Sequence, residues 1–213
     1  MGKVIDHVAI GAASLQQGIH ALRQLLSVEM PPGGKHPAMS THNCVTRIGE
    51  GKFLEIIAID REAPEPSRKR WFTMDKAATQ SRLKSRPRAL CWVVGTDDLD
   101  GLVANSPVDL GEILPLSRGN LTWRITVPSD GSLPEGGLIP AFIEWPPGRH
   151  PSEGMQDLGI RLKSISLRHP DPNGLRTTLR ALDVDHLADV TAAGAPSLSF
   201  IVETLDGRTI ELD

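Results

Sequence analysis

Apolar and polar residues change rhythm repeatedly along the chain, and each change marks an element. Residues 3–11 are nearly all apolar, rich in β-branched side chains and closed by Gly11, which predicts a strand. Alternation along it groups His7 with Ile5 and Ala9, and Val4, Asp6, Val8 and Ile10 on the greasier opposite face. That second face is expected to pack on a helix, which leaves His7 toward a second layer or a cavity. From Ser14 onward the period lengthens. Leu15, Ile19, Leu22 and Leu26 share one helical face, with Ser14 as N-cap. Residues 30–37 read as a Pro/Gly loop. Residues 43–48 and 52–59 predict a hairpin through Gly49-Glu50-Gly51. Residues 60–87, rich in charge and proline, read as a connector with a short helix around 70–83.

The pattern then restarts. Residues 89–95 superpose on 5–11 with a constant shift of 84 (91 − 7 = 84), so that Gly95 falls on Gly11. A short helix is expected near 97–103 and strands at 110–116, 121–127 and 139–145. The closing strand carries Phe142-Ile143-Glu144, against Phe53-Leu54-Glu55 in the first unit. A third start follows at Leu162, with a strand at 163–167, a helix at 172–182 and a hairpin of 197–203 and 208–212 around Asp206-Gly207. The expected fold class is α+β, built of repeated β-α-β-β-β modules. The first module spans 1–60, the connector 61–87, the second module 88–150, and a third, partial module 161–213. The period is too long for a solenoid, and two such modules can curl into a cup.

Composition changes this picture little. The chain has 213 residues, enough to bury a core without staples, and a net charge of −3, which argues against nucleic acid or a membrane surface as partner. No apolar run reaches 18 residues, and no secretory leader is visible. Its two cysteines, Cys44 and Cys91, both fall in expected strands. The expectation is a reduced, cytoplasmic protein that acts on a small molecule. No phosphate-binding glycine loop supports nucleotide use.

Strand parity names a concave face: His7; Asn43, Val45 and Arg47; Phe53, Glu55 and Ile57; Cys91; Thr122, Arg124 and Thr126; Phe142 and Glu144. Leu121, Trp123, Ile125 and Val127 then form the helix-covered back. His7, Glu55 and Glu144 are three candidate ligands for a divalent metal such as Zn, Mn, Ni or Fe. The bland reading is a satisfied core histidine with half-exposed glutamates. Arg47 and Arg124 suit a substrate carboxylate or phosphate, or else pair with Glu55 and Glu144. His36 and His150, each before a proline, are expected at the cup mouth within reach of substrate rather than in a metal shell. Cys91 is either a soft ligand, a nucleophile or simply packing.

These residues resemble the vicinal oxygen chelate superfamily, and within it the glyoxalase-like domain branch. The resemblance rests on Ile5-Asp6-His7-Val8; Gly33-Gly34-Lys35-His36-Pro37 with Thr41 and Asn43; Phe53-Leu54-Glu55-Ile56; Ser117-Arg118 with Trp123-Arg124; and Phe142-Ile143-Glu144-Trp145 followed by His150-Pro151. It implies metal ligands at His7 and Glu55 from the first module and Glu144 from the second. The fourth ligand position, usually His, falls on Cys91, so a metal centre would have three ligands, include Cys91, or be absent. The third module offers Ser164 at the histidine position and is expected to pad the cup or support a homodimer.

Three functions compete. One is a divalent-metal-dependent lyase or isomerase of the glyoxalase or epimerase type, in which the metal holds two vicinal oxygens of a small oxygenated, anionic or neutral substrate and stabilises an enediolate, with Glu144 as general base. Asn43, Arg118, Phe53, Phe142, His36 and His150 would then contact substrate beside Arg47 and Arg124. Another is a ring-cleaving dioxygenase, for which the chain has one matching histidine and no tyrosine. The last is a metal-free binding protein of the bleomycin-resistance type, gripping its ligand with Arg47, Arg124, Phe53 and Phe142.

Overall fold

The computed structural model describes residues 2–213. The first module runs β1 (Val4–Gly11), α1 (Leu15–Leu26), β2 (Gly34–His36), β3 (Thr41–Gly49) and β4 (Lys52–Ile59). After the connector and α2 (Ala77–Ser85), the second runs β5 (Arg88–Gly95), α3 (Leu99–Ala104), β6 (Glu112–Arg118), β7 (Leu121–Val127) and β8 (Ala141–Glu144). Local chemistry explains the boundaries. The Ser14 side chain accepts from Gln17 N–H and starts α1, while Ser27 in the left-handed region ends it. Asp98 starts α3 in the same manner, accepting from Gly101 N–H.

The eight strands form one curved sheet in the order β2-β3-β4-β1-β5-β8-β7-β6. β1 pairs parallel with β4, β5 parallel with β8, and β1 antiparallel with β5 at the centre. The central register is symmetric: Val8 pairs with Trp92, Ala9 with Cys91 and His7 with Val93. This is the shift of 84 expressed in hydrogen bonds, since 92 − 8 = 84. An α+β fold of paired modules curled into a cup is therefore what the chain adopts.

Two apolar layers flank the sheet. On the convex side Val8, Ile10, Leu54, Ile56, Trp92, Val94 and Phe142 pack with Leu22 and Leu26 of α1. On the concave side Ala9, Ile57, Cys91, Val93, Trp123, Ile125 and Ile143 pack with Trp71 and Phe72 of the connector. Phe72 and Thr73 both hold a left-handed backbone (φ 58° each), and Thr73 N–H donates to Gly131 O at 2.7 Å. That costly conformation fixes the aromatic pair over the cup.

The third module runs β9 (Arg161–His169), α4 (Pro172–Ala181), β10 (Asp189–Ala192), β11 (Ser197–Glu203) and β12 (Thr209–Leu212). The short strand β10 was not expected. It alternates poorly, with only Val190 buried. The strand order β10-β9-β11-β12 also differs from that of the first module, because here the first strand lies inside the sheet rather than beside the last. Ile165, Leu167, Phe200 and Val202 join the convex core, so this module backs the cup. Among the described residues no helix is long and apolar enough to cross a membrane.

Candidate functional site in the cup

The cup holds a pocket that is partly open to solvent. Its centre lies on β1. The pairing of β1 with β5 slips between Ile5 and His7, leaving Asp6 as an extra residue without a partner there. Such a bulge re-aims side chains. His7 Nδ1 lies 2.6 Å from Asp6 Oδ1. Asp6 Oδ2 accepts from Trp145 Nε1–H at 2.7 Å and meets His150 Nε2 at 2.9 Å. Burial pushes the Asp6 carboxyl up, but the hydrogen bonds from His150 and His7, and then their charges, bring it down to about 2.

An ionised Asp6 only accepts, so His7 Nδ1 and His150 Nε2 carry the protons. The Ser152 N–H donates to His150 Nδ1 at 3.2 Å, which agrees with that tautomer. In neutral His7 the Nε2 lone pair is left bare. Phe53 stacks on the ring, centroids 4.4 Å apart and 15° from parallel, and sets its plane.

Nε2 of His7 faces Glu55 Oε2 at 3.8 Å. Glu55 stands in the middle of β4 and is 4 % exposed. Its other oxygen accepts from Asn43 Nδ2 at 2.6 Å. Two acceptors therefore look at each other across a gap too wide for a direct hydrogen bond. The gap suits a shared donor: a proton, a water or a substrate hydrogen.

The remaining polar groups converge from the sheet edges. Asn43 Oδ1 accepts from Arg118 Nη1 at 2.9 Å and from Gly34 N–H at 3.1 Å. A Cβ at position 34 would sit 2.8 Å from Arg118 Cδ and Nη1, so a larger residue there would displace the Arg118 side chain. Arg118 makes no ion pair with a carboxylate among the described residues; an amide oxygen holds it. His36 Nδ1 lies 3.2 Å from Thr41 Oγ1. Burial pushes the His36 pKa down; Glu55 draws it up, while Arg118 and His7 add to the fall, to about 4. His36 is thus neutral at pH 7. The walls are aromatic and aliphatic, from Phe53, Trp71, Phe72, Trp123, Trp145 and Ile143.

His7, His36, Asn43, Phe53, Glu55 and Arg118 all line this cavity. His150 stands beside it, bonded to Asp6 and 6.2 Å from the Phe53 ring. The inward placement expected for the second module is corrected. Phe142 belongs to the convex core. Glu144 accepts Leu99 N–H at 3.0 Å on the convex side, and Arg124 pairs with Glu144 at 2.7 Å and Asp100 at 2.8 Å. The expected back, Trp123, Ile125 and Val127, is the cup wall instead. Arg47 reaches away to Asp157 at 3.1 Å, below which Gln156 O accepts Arg47 N–H.

The register explains the error. Ala9 pairs with Glu55, and its counterpart Val93 pairs with Ala141. The counterpart of Glu55 is therefore Ala141, three residues before Glu144 (144 − 141 = 3). An odd offset turns a side chain to the other face. Cys91 does stand opposite His7 in the symmetry, but it is 0 % exposed, and burial first, Glu55 second, push its thiol well up. Among the described residues no three His, Cys, Asp or Glu side chains are grouped to hold a metal ion. His7 and Glu55 alone remain of the implied ligand set, so the donors do not fit that metal centre.

Sequence reasoning also missed Asp6, Trp145 and the connector's Trp71. An aspartate inside an apolar strand beside a histidine was the available signal, since a buried carboxylate needs donors.

Fold and site together define a paired-module α+β cup with a buried Asp–His pair facing a carboxylate. The chain belongs to the glyoxalase-like domain family, which it matches over residues 5–182, and so to the vicinal oxygen chelate superfamily. No curated protein matches it. A hypothetical protein from Staphylococcus aureus shares the fold along 100 % of this chain and 99 % of its own, at 10 % identity and a TM-score of 0.67. Methylmalonyl-CoA epimerase from Streptomyces coelicolor, in complex with 2-nitronate-propionyl-CoA, aligns with 66 % of this chain and 96 % of its own at 19 % identity and a TM-score of 0.44. The epimerase from Mycobacterium tuberculosis aligns with 67 % and 88 % at 19 % identity and 0.45.

Proposed function

We propose that the chain is an isomerase-type enzyme that moves a proton on the carbon beside a carbonyl of a small, flat, carboxylate-bearing substrate. The observation that carries this is the 3.8 Å gap between His7 Nε2 and Glu55 Oε2, two acceptors held on opposite sides of one small space. His7 is oriented by Asp6 and presents a bare lone pair, the arrangement a general base requires. Arg118, a cation paired with no carboxylate among the described residues, is the natural seat of the substrate carboxylate. The aromatic walls suit a planar body.

In this reading His7 Nε2 takes the proton from carbon, and the bonding electrons move onto the carbonyl oxygen. Arg118, held in place by the Asn43 amide oxygen, offers donors to the resulting enolate. The abstracted proton returns to carbon from the protonated His7, directly or after crossing the gap to Glu55, so nothing is gained or lost overall. Asp6 stabilises the imidazolium formed in between. No step is assigned to a metal, because the donor set does not assemble one.

The test is proton NMR in D₂O with a panel of aryl and alkyl 2-oxo and 2-hydroxy acids. Deuterium should enter the carbon beside the carbonyl, at a rate that survives chelation of divalent ions. His7→Gln and Glu55→Gln should each lower it at least about a hundredfold. A protein that binds such acids in the cup and exchanges none of them is a sequestering protein, and the proposal fails.

A further inference from the structure

A second pocket, partly open to solvent, lies on the far side of the connector, where α2, the start of β5 and the third module meet. Three arginines crowd one turn: Arg82 near the end of α2, Arg86 just after it and Arg88 opening β5. Arg86 is used structurally, forming a two-pronged pair with Asp213 at 2.7 and 2.5 Å. Arg82 and Arg88 both line the cavity and pair with no carboxylate among the described residues. Arg88 Nε is buried without any hydrogen-bond partner. Burial, then Arg86, then Arg82 all weigh against the Arg88 charge; Asp213 alone offsets them.

A guanidinium does not shed its proton, so an unneutralised pair of them lining one cavity calls for an anion. Of the other polar lining groups, Thr73, Thr79 and Ser197 can donate, and the Asp213 carboxylate is already taken by Arg86. The rest of the wall is apolar: Leu83, Leu90, Leu133, Leu138 and Leu198. The composition therefore couples an oxyanion seat to a greasy shelf.

We propose that this cavity binds a small organic phosphate monoester, its phosphoryl group between Arg82 and Arg88 and its apolar remainder against the leucines. Two negative charges on one headgroup match two free guanidinium groups, where a carboxylate would match one. Ser197 and Leu198 come from the third module, so a bound phosphate ties that module to the cup. The site is separate from the cup and stands independently of the reaction proposed there.

Calorimetric titration with phenyl phosphate, inorganic phosphate and benzoate tests it on the full chain. Phenyl phosphate should bind tightest and inorganic phosphate more weakly, with benzoate weakest, and affinity should fall as salt rises. Arg88→Gln should weaken phenyl phosphate about tenfold or more, and the exposed Arg82→Gln, which leaves the core untouched, should weaken it several-fold. In an Arg118→Gln background, which removes the cup's own anion seat, phenyl phosphate should keep its affinity and the same order of the three ligands should hold. The proposal is overturned if benzoate matches phenyl phosphate, if Arg82→Gln and Arg88→Gln both bind as the parent does, or if Arg118→Gln is the variant that loses binding.

Discussion

The two halves of the cup have the same backbone and opposite chemistry. In the first, β1 and β4 bring His7, Asp6 and Glu55 to the cavity. In the second, the matching strands β5 and β8 bring Cys91 and Ala141, and the wall continues with Trp123, Ile125 and Ile143. A duplicated scaffold has thus been split into a reactive half and an apolar half. The apolar half excludes water and lowers the local dielectric, which strengthens the Asp6–His7 pair that the reactive half supplies. Three groups of the second half cross the divide: Arg118 at the end of β6 donates to Asn43, Trp145 after β8 donates its N–H to Asp6, and His150 meets the same Asp6 oxygen.

The most severe way to break this division is to restore polarity to the second half. Cys91→His with Ala141→Glu puts an imidazole and a carboxylate at the symmetry mates of His7 and Glu55. Without partners these buried groups should destabilise the protein by roughly 3–5 kcal/mol in urea unfolding. Added Zn²⁺ or Ni²⁺ should recover much of the loss by binding the native state. An unfolding midpoint equal to that of the parent would mean that the two halves are not so different in polarity as their linings indicate.

Most of the fold was legible before any coordinates. The helical period of Leu15, Ile19, Leu22 and Leu26 and the repeat of residues 5–11 at 89–95 both survive, because each is set by residues adjacent in sequence. The chemistry of the cavity was legible too: His7, Asn43, Glu55 and His36 of the first half and Arg118 of the second share it. The second half was misread for a geometrical reason. Phe142-Ile143-Glu144 copies Phe53-Leu54-Glu55 in letters, but pairing places Ala141 where Glu55 stands, and an odd slip inverts a strand. A second error followed from taking the more polar face of each strand as the cavity face. On β7 the polar residue Arg124 faces Glu144 and Asp100 of the α3 side instead. The bulge at Asp6 depends on the pairing of β1 with a strand some eighty residues away, which no local pattern carries.

Acid sharpens the comparison, because the titrating groups sit in the first half. His36 has its pKa lowered from 6.5 to about 4 by burial. Its unfolded form binds a proton before the folded form does, so stability should fall as pH drops from about 6.5 to about 4. The loss should be roughly 3 kcal/mol. His36→Gln should flatten that part of the curve, read as the urea unfolding free energy against pH. Asp6 acts lower down. Its pKa is lowered from 3.8 to about 2, so its contribution is full above about 3.8 and disappears as pH falls through about 2. That contribution is roughly 2 kcal/mol, and Asp6→Asn should lack the corresponding slope between those values. Parent and variant curves that run parallel through either window would remove the group concerned from the list of buried, partnered residues.

The smallest effect is the most discriminating, because it concerns the glutamate that looks most like Glu55 by sequence. Glu144 lies outside the cup. Its side chain is partly exposed at 22 %, it receives the Leu99 N–H at the first turn of α3, and it pairs with an Arg124 that is itself 37 % exposed. Glu144→Gln retains an acceptor for Leu99 and gives up only a solvent-screened ion pair. Stability should fall by about 1 kcal/mol or less. Deuterium exchange of any substrate acid should stay within about twofold of the parent, whereas Glu55→Gln, at the same step of the same letter motif, should remove it. Glu144 shares its face of the sheet with α3, and no route through the strands connects it to His7 Nε2. If Glu144→Gln were instead as inactive as Glu55→Gln, the division of the cup into a reactive and an apolar half would be wrong, and the second module would have to turn β8 over when substrate binds.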